Sequence, residues 1–159
     1  MSVAKTISET ILGQDVTMEE CEILSQAVTQ KSLKAGEVLF EPDTKDETLY
    51  LLVAGKLEVV KVLPGDTNIR MDMLKAGSMT GELSFIDGKT HSMRLVAKHD
   101  SEILALHKDA FEALVEEHPM LSYHVMRSIL RYTHIMQRKI NAKYLEMTRM
   151  IQNQYTAQY

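Results

Sequence analysis

The feature that most constrains this chain is a central region of short apolar runs separated by glycines. Six such runs lie between residues 34 and 106, and the same region holds six of the seven glycines. In the run at 68–74, apolar and polar residues alternate, which is the period of a half-buried β-strand. Short strands without intervening helices predict an antiparallel sandwich, jelly roll or barrel. The runs are 37–40, 48–54, 56–62, 68–74, 93–97 and 102–106.

Helical patterns flank this region on both sides. Residues 17–31 are predicted to form a short helix, with Thr17 as N-cap and Glu20 completing a capping box. A second helical pattern begins at Asp109 and is interrupted by Pro119. Residues 120–152 contain neither glycine nor proline, so they predict one helix of about 45 Å, longer than a small domain is wide.

These patterns divide the chain into four predicted segments. An N-terminal segment spans residues 1–16, and the strands with their flanking short helices span 17–118. The long helix covers 119–152, and a flexible tail covers 153–159.

When the long helix is divided into seven-residue repeats, one mostly apolar row of residues, its seam, runs along it, which is typical of a coiled coil. We expect this seam to join two copies of the chain, because the far end of so long a helix extends past a small roll. Two alternatives stay open: the helix packs wholly on its own domain, or it binds a different protein. The residues predicted at the dimer interface are Met126, Ile129, Thr133, Met136, Ile140, Met147 and Met150.

Composition and charge limit the function classes. The chain is 45% hydrophobic and 25% charged, which is typical of a globular protein. No apolar run is long enough to cross a bilayer and no signal-peptide pattern is found, so we expect a cytoplasmic protein without membrane binding. Cys21, the single cysteine, is interpreted as a passive helix residue. The net charge of −4 argues against nucleic-acid binding by the molecule, although residues 127–149 hold six Lys or Arg and one acid.

The stretch TGELSFIDGKTHSMRL at residues 80–95 combines the start of a short helix with an incomplete anion site. Gly81, Glu82 and Leu83 offer a helix N-terminus, where free backbone amides favour a bound anion. A phosphate site of this kind normally adds a fixed cation. The polar residue that leads into the next strand is His91, not an arginine.

Several motifs, in this order and spacing, resemble one family. AGEVLF, LYLLVAGKLEV, GELSF and EILALHKDAFEALVEEHP, followed by a long helix, are similar to the cyclic-nucleotide-binding domain of the bacterial catabolite-activator branch. The resemblance covers about residues 17–150 and implies an α+β fold: an antiparallel β-roll, also called a jelly roll or double-stranded β-helix, with short helices and a long C-terminal dimerisation helix. Too few residues follow 152 for a helix-turn-helix domain, so no DNA binding by this chain alone is expected.

The resemblance also implies a nucleotide pocket. Gly81 and Leu83 would present backbone amides to the phosphate, and Glu82 would accept a hydrogen bond from the ribose. His91 stands where the family has the arginine that pairs with the phosphate, while Ser92 keeps a hydroxyl donor. The nucleotide base would lie near three residues of the long helix, Thr133, Met136 and Gln137.

Two further positions bear on the resemblance. Arg94 replaces the missing arginine only if the strand begins two residues later or contains a bulge, since in a strand that is extended from His91 it points away from the face that holds His91. Asp43 and Asp46 stand in a turn where the family usually has two glycines, and aspartate tolerates the left-handed conformation.

These observations predict a non-enzymatic, homodimeric ligand-sensing module acting on an unknown downstream protein. We expect binding of cyclic AMP or cyclic GMP, the candidate ligands, to be weak, altered or absent. Three alternatives stay open: a dimerisation scaffold without ligand, a sensor of another small molecule or haem, and a cupin-like metal enzyme. The last two depend on His91, His99 and His107, although no metal site is predicted from their spacing.

Overall fold

The computed structural model describes residues 2–65 and 67–157, which contain eight strands, five α-helices and one short 3₁₀ turn. The strands are β1 (Thr29–Leu33), β2 (Val38–Phe40), β3 (Thr48–Ala54), β4 (Lys56–Leu63), β5 (Thr67–Lys75), β6 (Met79–Thr80), β7 (Arg94–Ala97) and β8 (Ser101–His107). The helices are α1 (Val3–Ser8), α2 (Met18–Ser25), α3 (Glu82–Asp87), α4 (Lys108–Val115) and α5 (Pro119–Thr156), and the 3₁₀ turn is Ile11–Gln14.

The strands form two four-stranded sheets in which neighbours are antiparallel. One sheet has the order β1-β8-β3-β6 and the other the order β2-β7-β4-β5. Consecutive strands therefore alternate between sheets at several points, as in a roll. The predicted α+β fold with an antiparallel β-roll, flanking short helices and a long C-terminal helix is confirmed.

Each of the six predicted runs forms a strand, but two strands were missed. β1 occupies the end of the predicted helix 17–31, which stops at Ser25. Only Leu33 of β1 is buried, so the segment carries no alternating apolar pattern; its pairing with β8, from Thr29 opposite Ala105 to Leu33 opposite Ser101, makes it a strand. β6 has only two residues, too few for any periodicity.

The predicted start of α2 is confirmed by its capping box. The hydroxyl oxygen of Thr17 accepts from the Glu20 amide at 3.2 Å, and the Thr17 amide donates to the Glu20 carboxylate at 2.8 Å. Cys21 is buried in this helix, and burial raises the pKa of its thiol, as expected of an inert residue.

The core divides into two clusters on either side of the sheet that contains β3. One cluster lies between the two sheets and includes Leu52, Leu57 and Leu95. The other lies under the helices. It includes Ile7 and Leu12 of the predicted N-terminal segment 1–16, which therefore packs as part of the body.

α5 packs on this second cluster with its first half only. Its buried residues end at Tyr132, and the positions beyond are exposed or half-buried. The helix continues to Thr156, past the predicted boundary at 152, so the first four residues of the predicted tail are helical; residues 158 and 159 lie outside the described residues. No helix in the part of the chain described here has the length and apolarity needed to span a bilayer.

Ion pairs fix the first half of α5 to the N-terminal segment. Asp15, whose side chain is 4% exposed, accepts two hydrogen bonds from Arg131, at 2.9 and 2.7 Å. The Ser128 hydroxyl donates to the same carboxylate at 3.1 Å, and Arg127 lies 3.3 Å from it. The hydrogen bonds from Arg131 hold the pKa of Asp15 below its usual value, although burial opposes the shift.

We predict that Asp15→Asn destabilises the protein at pH 7 and that the difference shrinks in acid. A carboxylate whose pKa is lowered by folding stabilises the protein fully above its unfolded pKa of 3.8, and this contribution is lost as the pH falls through the folded pKa. Urea unfolding from pH 7 down to pH 3 measures the effect.

Asp109→Asn is the matched control, because the Asp109 side chain is 87% exposed and its replacement should change the free energy of unfolding by less than about 0.5 kcal/mol. Equal stability of Asp15→Asn and the unaltered chain at pH 7 would contradict this account of the helix anchor.

Candidate functional site

A cavity of about 550 Å³ lies between the β-roll and the middle of α5. Its floor is formed by the turn and helix at 80–84 and by the segment 90–93. β5 forms one wall and α5 forms the roof. The volume is within the range of pockets for small organic molecules.

The floor begins at Gly81, which adopts φ 79° and precedes α3. A side chain there would be strained by that backbone angle and would also collide with the backbone oxygen of Thr48, so both constraints require glycine. Glu82 is half-buried in the cavity, and burial raises the pKa of its carboxyl. Leu83 borders the cavity with an exposed side chain, and the hydroxyl of Ser92 is exposed at its rim.

His91 lies at the closed end of the cavity, where its ring contacts both Phe40 and Asp46. Its ring stacks on Phe40, with centroids 3.6 Å apart and planes 11° from parallel. Its Nε2 lies 2.9 Å from Oδ1 of Asp46, and the hydroxyl of Tyr50 donates to Oδ2 of the same carboxylate at 2.6 Å. The position at which the resemblance expects an arginine therefore holds an imidazole that is paired with an acid.

The role of Asp46 differs from the sequence interpretation. It was expected to accept a left-handed backbone, but the non-glycine residues with positive φ in this turn are Asp43 and Glu47. Asp46 instead uses its side chain, which contacts a residue 45 positions away. Such a distant pairing leaves no local pattern in the sequence, so sequence reasoning missed it.

Arg94 does not point into the cavity. It begins β7, and its Nε donates to the Glu41 carboxylate at 2.7 Å. Arg94 is absent from the residues that line the cavity, whereas Met93 and Leu95 belong to them. The strand begins only at Arg94, after the segment that holds His91, and the Arg94 side chain is paired with Glu41 outside the cavity lining.

α5 contributes more residues to the cavity than the sequence indicated. Of the three residues expected near a base, Met136 lines the cavity, Thr133 is half-buried with its hydroxyl on the Leu130 carbonyl, and Gln137 is exposed outside it. The roof also contains six residues that lie on the same face of the helix as Met136, a pattern that could have revealed them: Tyr132, Lys139, Ile140, Lys143, Tyr144 and Met147.

Both lysines of the roof are directed to β5. Lys139 Nζ lies 2.8 and 2.7 Å from the two oxygens of Asp72, and Lys143 Nζ donates to the Met71 carbonyl at 3.3 Å. Burial of Asp72 opposes its ionisation, but the hydrogen bonds from Lys139 and from the Met73 amide outweigh it and lower its pKa. These contacts close the mouth of the cavity.

The residues predicted for a dimer interface separate onto two faces. Ile129 is 1% exposed in the core of its own chain, and Met136 is half-buried against that core and the cavity. These two residues therefore face the roll. The remaining apolar residues of the predicted seam are exposed: Met126, Ile140, Met147 and Met150.

The three histidines considered for metal or haem do not come together. His91 is buried, whereas His99 and His107 are exposed, and His107 caps α4 through a hydrogen bond from the Asp109 amide. Among the described residues, no group of three or more His, Cys, Asp or Glu side chains is placed to hold a metal ion.

Comparison with known proteins gives one matching family model and several relatives of similar sequence. The family model for the cyclic nucleotide-binding domain matches residues 30–118. The cyclic AMP receptor protein of Thermus thermophilus is 25% identical over 113 residues, 71% of this chain and 52% of that protein. The lysophospholipase nte1 of Aspergillus fumigatus is 26% identical over 115 residues, 72% of this chain and 8% of that protein. The chain thus spans about half the length of one curated relative and a small part of the other.

A cyclic nucleotide-binding domain from Methylobacillus flagellatus KT has the same fold, with a TM-score of 0.83 at 23% identity, covering 91% of this chain and 85% of that chain. Its likeness extends across the roll and the long helix. Because the family model covers more than half of the sequence and the β-roll agrees with it, this chain belongs to the cyclic nucleotide-binding domain family and is similar to regulators of the catabolite-activator type.

Proposed function

We propose that this chain is a non-enzymatic, ligand-sensing regulatory module whose cavity does not hold a cyclic phosphate tightly. The observation that carries the proposal is the pairing of His91 with Asp46 at the closed end of the cavity, 2.9 Å apart. In a cyclic-nucleotide pocket this position supplies the positive charge for the phosphate. Here the carboxylate of Asp46 is already paired with the imidazole of His91, and the half-buried Glu82 adds a second acid nearby.

The charge balance disfavours cyclic AMP and cyclic GMP. Loss of a charge-assisted hydrogen bond to a phosphate costs about 1.5 to 3 kcal/mol, or about 10- to 150-fold in affinity. Lys139 and Lys143 are the lysines nearest to the cavity, and they are directed to Asp72 and the Met71 carbonyl. Either lysine would have to leave its partner to replace the missing phosphate-binding cation. Micromolar binding would therefore weaken toward millimolar.

The module is further proposed to act as a homodimer through α5. At every second position of the seam predicted from sequence, the proposed seam uses the next residue along the helix. The exposed Leu130 and Gln137 thereby replace the roll-facing Ile129 and Met136. The new seam keeps the three-four spacing of a coiled coil and consists of exposed or half-buried residues. Its members are Met126, Leu130, Thr133, Gln137, Ile140, Tyr144, Met147 and Ile151.

The proposed signalling depends on residues that belong both to the seam and to the lining of the cavity. Ile140, Tyr144 and Met147 belong to the proposed seam and also line the cavity. A ligand that contacts them changes the position of α5 relative to the roll, and two helices packed against each other pass that change to the partner subunit. Occupancy of the cavity thereby becomes a change in the geometry of the dimer.

We predict that Asp46→Gly combined with His91→Arg creates cyclic AMP binding, at least about 10-fold tighter than in the unaltered chain. His91→Arg alone should gain much less, because Asp46 lies close enough to pair with the new guanidinium. Asp46→Gly alone, which removes the acid without adding a cation, is the matched control. Isothermal titration calorimetry with cyclic AMP and cyclic GMP measures all four proteins.

Micromolar binding of cyclic AMP by the unaltered chain would refute the proposed pocket chemistry. An equal gain for the single and the double variant would show that Asp46 does not control the charge at this end of the cavity. A urea unfolding curve for each variant confirms that the roll is intact, since Asp46→Gly also removes the partner of Tyr50.

We also predict that Leu130→Glu converts the dimer into a monomer. Leu130 is 60% exposed and is the second of the eight residues in the proposed seam, so a buried unpaired carboxylate there would oppose association. Ile135→Glu introduces the same charge at another exposed apolar position of α5, outside the seam, and should leave the dimer intact. Sedimentation equilibrium at tens of micromolar distinguishes them; a monomeric unaltered chain would contradict the dimer.

A further inference from the structure

The surface that lines the cavity is mostly apolar. Five methionines line the cavity, and their flexible side chains adapt to ligands of irregular shape. They come from the floor, the β5 wall and the α5 roof, so a ligand would contact thioethers on all three sides. The methionines are Met71, Met79, Met93, Met136 and Met147.

The charged groups of the cavity are already paired, with one exception. Both carboxylate oxygens of Asp72 accept from Lys139, and His91 is paired with Asp46. Glu82 accepts from its own backbone amide, and among the described residues its carboxylate has no side-chain hydrogen-bond partner. Among the charged groups of the lining, Glu82 is therefore the one that offers a free acceptor, beside the hydroxyls of Thr80, Thr90 and Ser92.

A second polar group faces the same space. Tyr132 is 5% exposed in its own chain and lines the cavity. Burial raises the pKa of its hydroxyl, and the charge of Glu82 raises it further, so it remains a neutral donor and acceptor. Glu82 and Tyr132 together suit a single polar group on an otherwise apolar molecule.

We propose that the cavity binds an apolar molecule that carries an uncharged hydrogen-bond donor, an N–H or O–H group, and no anionic group. The inference rests on the proposed sensing function and names its ligand class. The donor of the ligand bonds the Glu82 carboxylate, the Tyr132 hydroxyl accepts from or donates to the same group, and the apolar body fills the space between the methionines. An anionic group would be repelled by Glu82, and it would have to draw Lys139 or Lys143 away from Asp72 and the Met71 carbonyl to gain a cation.

A matched pair of fluorescent probes tests this ligand class on the full chain. N-phenylnaphthylamine is apolar and has one N–H donor, while anilinonaphthalene sulfonate adds an anionic sulfonate to the same skeleton. Titration of each probe should give saturable binding of the amine at one site per chain, at least about 10-fold tighter than the sulfonate. Cyclic AMP should not displace the amine.

Three variants locate the probe. Met136→Trp fills the cavity from the roof and should abolish binding of the amine, and Met147→Trp at the exposed mouth should weaken it even if the first variant is poorly folded. Met18→Trp makes the same change at an exposed position outside the cavity and should have no effect. Glu82→Gln should reduce the preference for the amine over the sulfonate, since it removes the repelling charge.

The outcomes separate the ligand class from the function. Equal binding of amine and sulfonate, with both lost in Met136→Trp, would overturn the ligand class and leave the sensing module standing. Amine binding that is absent, or unchanged in both cavity variants, would overturn the inference itself. Displacement of the amine by micromolar cyclic AMP would overturn the proposed function.

Discussion

The Asp46 carboxylate is the contact on which both the roll and its cavity depend. One of its oxygens accepts from Tyr50 in β3, and the other pairs with His91, which precedes β7 and stacks on Phe40 in β2. These strands belong to different sheets, so one side chain joins the two layers at the closed end of the cavity. The same contact affects the electrostatic character of the cavity, because the group that links the two sheets is also an acid paired with His91, a lining residue.

The roll was predictable where its residues alternate and are punctuated by glycines, which is why all six predicted runs are strands. β1 was not, since four of its five residues are exposed and only pairing with β8 defines it. Of the site, Gly81, Glu82 and His91 follow from a local motif and lie together in the cavity. Asp46 and Tyr132 do not follow from it, because contacts between distant segments decide their roles.

The sequence pattern of the long helix likewise does not tell which of its faces the roll covers. Two seams with coiled-coil spacing share the positions of Met126, Thr133 and Ile140, and they differ by one residue at the positions between. Periodicity alone does not choose between them. The choice depends on which face the roll covers, and burial of Ile129 against the chain's own core settles which positions remain open.

The two halves of α5 are attached to the rest of the chain by contacts of unequal strength. Its contacts with β5 are ion pairs of partly exposed lysines, and such pairs contribute at most about 1 kcal/mol each. The second half of the helix is therefore held to β5 more weakly than Asp15 holds the first half to the N-terminal segment. Under the proposed sensing function, the roof of the cavity is thus the part of the protein that a ligand would displace at the lowest cost in free energy.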